Sequence, residues 1–249
     1  VALVIDSSSP AAHQIVNVAA NTCAAFVPPD SPLLLAAWAG DAGLSEDPAQ
    51  PVIASAPSQS WSVDVWDHYT SGAPTTPGQA AFMHSAVSGS PGSTTVTVTN
   101  QSVSSLSKGS TLKVYVITGH SLAAPIGVVG AGRQTSGSSL SDSYTASITG
   151  GQGFMVVSDW SAIDTTNWVA ATGCTIVDVG TISGEISYAI VRRTDPDGVI
   201  GVSTTLGLTG LPTGGQFHWA YAEVISQEAA LAAEGQAGYP ARGASPPMF

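Results

Sequence analysis

Charged side chains are scarce in this chain of 249 residues: Asp, Glu, Lys and Arg make up 9%, against about 25% in an ordinary globular domain. Basic residues are scarcer still. Lys108, Lys113, Arg133, Arg192, Arg193 and Arg242 are the only six, and the formal net charge is −11. No basic patch exists to neutralise phosphates, so nucleic-acid binding is not expected. The single basic pair, Arg192-Arg193, stands before a turn and reads as two solvated charges. Cysteine is limited to Cys23 and Cys174. Their separation permits a bridge without arguing for one, and two unpaired, mostly buried thiols are expected.

Long apolar runs are missing as well. The longest, "PLLLAAWAG", is far short of the ~20 residues of a membrane span, so no membrane insertion is expected. The opening "VALVIDSSSP" lacks a basic region and a long apolar core, so no signal peptide is expected there. Hydrolytic and nucleotide-binding signatures are absent: no Gly-x-Ser-x-Gly, no His-Glu-x-x-His, and no Gly-rich loop ending in Lys-Ser/Thr. Neither an enzyme nor a bound cofactor is implied.

What is present is a rich supply of Ser, Thr, Gly, Ala and β-branched residues, in short apolar stretches bounded by turn formers. Strands are read at 32–39, 60–69, 78–87, 93–100, 111–118, 143–149, 153–160, 174–180, 185–193, 199–208 and 217–225. "ALVID" and "QIVNVAA" add two near the N-terminus. Strands at this frequency indicate an all-β fold, a jelly-roll or lectin-like two-sheet sandwich. Only "SQEAALAAE" (226–234) has helix propensity.

The strands carry an internal rhythm. "LLLAAWAGD", "WSVDVW", "QAAFMHSAV", "STTVTVTN" and "TLKVYVITG" are echoed in order by "FMVVSDWSA", "TIVDVG", "ISYAIVRRT", "GVSTTLGL" and "FHWAYAEVI". The expected organisation is a sandwich over 1–226 made of two similar halves, 1–119 and 140–226, with 119–140 as the most linker-like interior stretch. One sandwich and two small domains both fit this pattern. Residues 227–249 form a helix followed by a Pro/Gly/Ala-rich arm. Tyr239, Pro240, Arg242, Pro246, Pro247 and Phe249 on this arm are candidate docking residues toward a neighbouring copy or another chain.

The stretch "SWSVDVWDHY" (60–69) looks most like chemistry. Period two places Trp61, Val63, Val65, Asp67 and Tyr69 on one face, toward the core, and Ser62, Asp64, Trp66 and His68 on the other. Residues i and i+4 on a strand lie about 13 Å apart, too far to share one metal ion. Asp64, Trp66 and His68, with Trp160 and Trp219, are therefore candidate interface or glycan contacts, with burial against a sheet or subunit preferred. A glycosidase would need two carboxylates at a set separation across a groove, and Glu185 and Glu223 each lack an acidic neighbour on their strand. Asp195 and Asp197 in "DPDG" could hold calcium, but a plain turn is preferred. His13, His84, His120 and His218 are scattered and read as structural.

Taken together, "VPPDSPLLLAAWAG", "WSVDVWDHY", "GQAAFMHSAVSGSPGSTTVTVT", "LKVYVITG" and the second half from "GFMVVSDW" to "HWAYAEV" resemble β-sandwich modules of minor tail and other virion proteins of actinobacteria-infecting phages. The likeness covers roughly 25–226, is one of pattern, and carries no site residues with it. It implies a non-enzymatic structural role in a virion, as a minor tail, baseplate or head-decoration component. Its partners would be copies of itself and other virion proteins, and it would be made in the host cytoplasm. Alternatives read from the residues are a carbohydrate-binding module or adhesin for a host cell-surface glycan, and a glycan hydrolase on a lectin-like sandwich.

Overall fold

The computed structural model describes residues 2–41, 48–68, 78–101, 109–147, 149–159, 163–182, 186–197 and 200–227. The first half of the chain supplies β1 (Val4–Ile5), β2 (His13–Val16), β3 (Ala20–Thr22), β4 (Leu33–Asp41) and β5 (Ala49–Ala56), then β6 (Ser62–His68), β7 (Gly78–Ala86), β8 (Thr95–Gln101) and β9 (Gly109–Thr118). The second half supplies β10 (Ile126–Gln134), β11 (Ser139–Thr145), β12 (Gln152–Asp159) and β13 (Val169–Ala170). It ends with β14 (Cys174–Ile182), β15 (Ile186–Arg193), β16 (Ser203–Thr209) and β17 (Phe217–Val224).

These strands form four antiparallel sheets. A large sheet runs β1-β9-β4-β7-β6, with β2 also on β9, and a small one runs β3-β8-β5. The second half repeats both, as β10-β17-β12-β15-β14 and β11-β16-β13. Adding eight to each strand number from β2 to β9 converts the first half into the second, and among the described residues β1 has no counterpart. In each half the first strand pairs the eighth, the second pairs the seventh, and the third pairs both eighth and sixth. That is jelly-roll wrapping, except that the fifth strand (β6 or β14) joins the large sheet.

The layers follow from which strand faces are apolar. β4, β12 and β17 are buried along their whole length, so their sequences run apolar without alternation, as strands covered on both sides do. β8 alternates, with Val96 and Val98 inward and Thr95, Thr97 and Thr99 outward. One core, including Leu35, Phe82, Tyr115, Phe154, Tyr188 and Val224, lies between the two large sheets. A second fills the space under β3-β8-β5 and a third the space under β11-β16-β13. The sandwich is thus present twice, stacked back to back in four layers, with one core shared between the halves.

Two expectations change. The stretch 119–140 is not a linker: it contains all of β10 and the start of β11. Its glycines leave room for rings, since a Cβ at Gly130 would lie 2.3 Å from Tyr221 Oη and one at Gly132 would lie 2.4 Å from the Trp219 ring. At 226 the chain is not helical. Ser226 bridges His120, and Gln227 N donates to Gly119 O at 2.7 Å, so this segment still runs alongside 119–120. The rest of the expected helix and the arm with Tyr239, Pro240, Arg242, Pro246, Pro247 and Phe249 lie outside the described residues.

Phe82 is fully buried in the shared core. Phe82→Ala is expected to lower stability by ~3–5 kcal/mol in urea titrations. Fluorescence and far-UV circular dichroism should follow one common transition, because the layer it damages belongs to both halves; separate transitions for the halves would contradict a shared core.

Candidate functional site

β6 is the outer strand of the first large sheet, paired with β7, and its register slips between Val63 and Val65. Asp64 is the extra residue of this bulge, and a bulge reverses the alternation beyond it. Trp61, Val63 and Trp66 therefore all pack toward the core under the small sheet, while Val65 packs between the large sheets. Strict period two put Trp66 opposite Trp61 and Val63, and put Val65 with them. The bulge overturns both placements.

Asp64, Trp66, Asp67 and His68 on this strand each have a partner. Trp66 Nε1 donates to Gln79 Oε1 at 3.2 Å, and Gln79 Nε2 donates to Asp41 O and Asn100 Oδ1 at 3.2 and 3.1 Å. The ring of His68 stacks on Trp66, with centroids 3.8 Å apart and planes 13° from parallel. Trp61 Nε1 donates to Ser55 Oγ at 3.2 Å. His84 Nδ1 donates to Asp64 Oδ1 at 2.7 Å. His218 Nδ1 donates to Asp67 Oδ2, a short contact from β17 to β6 that joins the halves.

The Asp67–His218 pair brings a serine close. Ser158 stands directly opposite His218 in the β12–β17 register, which has the ingredients of a Ser-His-Asp arrangement. Its geometry is structural instead. The Ser158 hydroxyl donates to Gly40 O at 3.2 Å, and Ser158 and His218 are both fully buried, so a substrate has no approach to either. Among the described residues no group of three or more His, Cys, Asp or Glu could hold a metal ion. Cys23 and Cys174 are both free. Cys23 is buried, which pushes its thiol up, whereas Cys174 is half-buried.

A second group of acids was not legible in the sequence. Asp197 is buried rather than part of a plain solvated turn, and it accepts a hydrogen bond from Tyr144 Oη at 2.8 Å. Glu223, also buried, accepts from Val128 N at 3.1 Å and Ser147 N at 3.0 Å. Both carboxylates border Gly151, where a Cβ would lie 2.6 Å from Glu223 Oε1 and 3.3 Å from Asp197 Oδ2. Two neighbouring carboxyls are what a glycosidase needs, but these are sealed from solvent, and Asp195 is exposed and apart from them. Glu185 lies outside the described residues.

The other candidates separate. Trp219 is buried, with Nε1 donating to Asp142 Oδ2 at 2.9 Å, and Trp160 lies outside the described residues. Arg192 and Arg193 are half-buried rather than two solvated charges. As neighbours on β15 they point to opposite sides. Arg193 Nη1 reaches Thr205 O on the small sheet at 3.3 Å, while Arg192 lines a groove on the other side. No family model, curated protein or solved structure matches the chain.

Burial pushes the Asp197 carboxyl up. The hydrogen bond from Tyr144 opposes this, the charge of Glu223 adds to it, and Arg193 opposes it. A folded-state value above the unfolded one means that stability is full at low pH and is lost as pH rises through the folded value. Asp197→Asn, which stays neutral and keeps an acceptor for Tyr144, should therefore raise the melting temperature near neutral pH. The gain should shrink toward about pH 4, where the ordinary carboxyl titrates. Thermal unfolding of both proteins across this range checks the sign; a variant destabilised near neutral pH would contradict it.

Proposed function

We propose that the protein is a non-enzymatic structural component of a bacteriophage virion, of the minor tail, baseplate or head-decoration kind, acting through contacts with its own copies and other virion proteins. The observation that carries this reading is the character of the two outermost faces. On both small sheets the outward strand positions hold Ser, Thr, Ala, Val, Gln and Gly and no charged side chain. Outward hydroxyls pair across strands, Thr22 with Thr97 at 2.8 Å and Ser143 with Thr205 at 3.1 Å. In a chain of net charge −11, such faces are where copies can approach with least repulsion. Many weak contacts of this kind gain strength from multiplicity.

The chemistry of the described residues supports the same reading. The Asp–His pairs and the buried carboxylates are held in structural contacts, and jelly rolls serve widely as capsid and lectin modules. The alternative of a glycan platform built on stacking tryptophans needs an exposed aromatic face. None of Trp38, Trp61, Trp66, Trp168 and Trp219 is exposed, and Trp66 is already engaged by Gln79 and His68.

Mass spectrometry and cryo-electron microscopy of purified particles of the encoding phage are expected to find the protein in stoichiometric, symmetric copies. Thr97→Glu, placing a charge on one outer face, should reduce incorporation without changing the melting temperature. Absence from purified particles, together with a monomeric chain at all concentrations, would overturn the reading.

A further inference from the structure

A groove of about 330 Å³ lies where the N-terminal strand meets the second half of the chain. Leu3, Val4 and Ile5 line it from the first half of the chain, and Pro196 and Thr194 from the second. Gln152 and Arg192 supply the polar groups between them. Its volume is at the lower end of the range for small-ligand clefts, ~300–1,000 Å³, which suits a ligand of one ring.

Arg192 is the unusual member. Its only hydrogen bond to a described residue is a long one, from Nη1 to Arg193 O at 3.5 Å, and no described carboxylate forms an ion pair with it. In so acidic a protein a half-buried guanidinium without a carboxylate partner among the described residues is conspicuous. Its planar fork matches a carboxylate in bidentate fashion. The fully buried Tyr115 hydroxyl lacks a partner among the described residues; burial pushes it up and the charge of Arg192 opposes this. Gln152 is fixed by donation from Nε2 to Arg193 O at 3.0 Å, which leaves its oxygen as an acceptor. Thr194 adds a hydroxyl steadied by Thr175 at 2.9 Å.

We propose that this groove binds a carboxylate-bearing monosaccharide unit, a uronic or sialic acid residue. Arg192 takes the carboxylate, Gln152 and Thr194 take ring hydroxyls, and the apolar lining residues Leu3, Val4, Ile5 and Pro196 take the apolar face of the ring. The net charge of the protein disfavours polyanions, so one carboxylate on an otherwise neutral, hydroxylated body is the best match. The site goes beyond the structural role and stands independently of it, because neither outer face contributes a residue.

The test is titration of the full chain with glucuronate, N-acetylneuraminate, glucose and acetate, followed by amide chemical shifts in NMR. Saturable binding of one or both acidic sugars is expected, with shifts at Val4, Gln152 and Thr194. Glucose and acetate should each bind roughly tenfold more weakly or worse, since each lacks half of the contacts. Arg192→Gln should lose roughly tenfold or more in affinity. Val4→Glu should do the same from a position whose side chain is exposed, with the melting temperature as control. Absence of saturable binding by either acidic sugar, unchanged binding in both variants, or acetate binding as well as the acidic sugars would overturn the proposal.

Discussion

The contact between the two large sheets is the constraint on which the rest of the molecule depends. Leu33, Leu35, Phe82 and Tyr115 from one half meet Phe154, Tyr188, Ile190 and Val224 from the other. Each large sheet already covers a small sheet on its opposite side, so its central strands must be apolar on both faces. The alanines of β4 and β17, among them Ala36, Ala37, Ala39, Ala220 and Ala222, are small enough to let these layers come together around the larger rings. Polar side chains are thereby displaced to the outward faces of β3-β8-β5 and β11-β16-β13 and to the rims.

The carboxylates held inside find partners, as the cost of burying an unpaired charge requires. Asp67 and His218 meet across the two halves, Asp64 and His84 within one sheet, and Glu223 is held by two backbone amides. Side chains that would read as catalytic in an open cleft are here the fastenings of a layered stack. Asp197 keeps a cost, as does Asp64, since one oxygen of each has no hydrogen-bond partner among the described residues. Among the described residues, the same packing leaves two uncharged, hydroxyl-rich faces and a groove at Arg192, which has no carboxylate partner there.

Much of the fold was legible locally. Alternation marked β8, continuous apolar runs marked β4 and β12, and the repeated order of five strands anticipated the two halves. The elements that were missed have physical reasons. β10 reads as a linker because its glycines make way for Trp219 and Tyr221, rings some 90 positions later whose presence no local pattern announces. β5 carries Pro51 and a register shift, and β3 and β13 are too short to show a period. In the candidate site, the residue types around Trp66 were visible but their faces were not, because Asp64 forms a bulge.

The chain's own sequence therefore determined the all-β class, the doubled strand order, the low charge and the absence of catalytic signatures, all of which follow from composition and from periodicity over a few residues. Only the tertiary structure decided that two sandwiches stack through a common core, that Trp66 turns inward, that Asp67 finds His218, and that Arg192 is left open to a groove. These outcomes rest on contacts between segments far apart in the chain. Such contacts depend on how whole sheets meet, and a local sequence pattern carries no information about that.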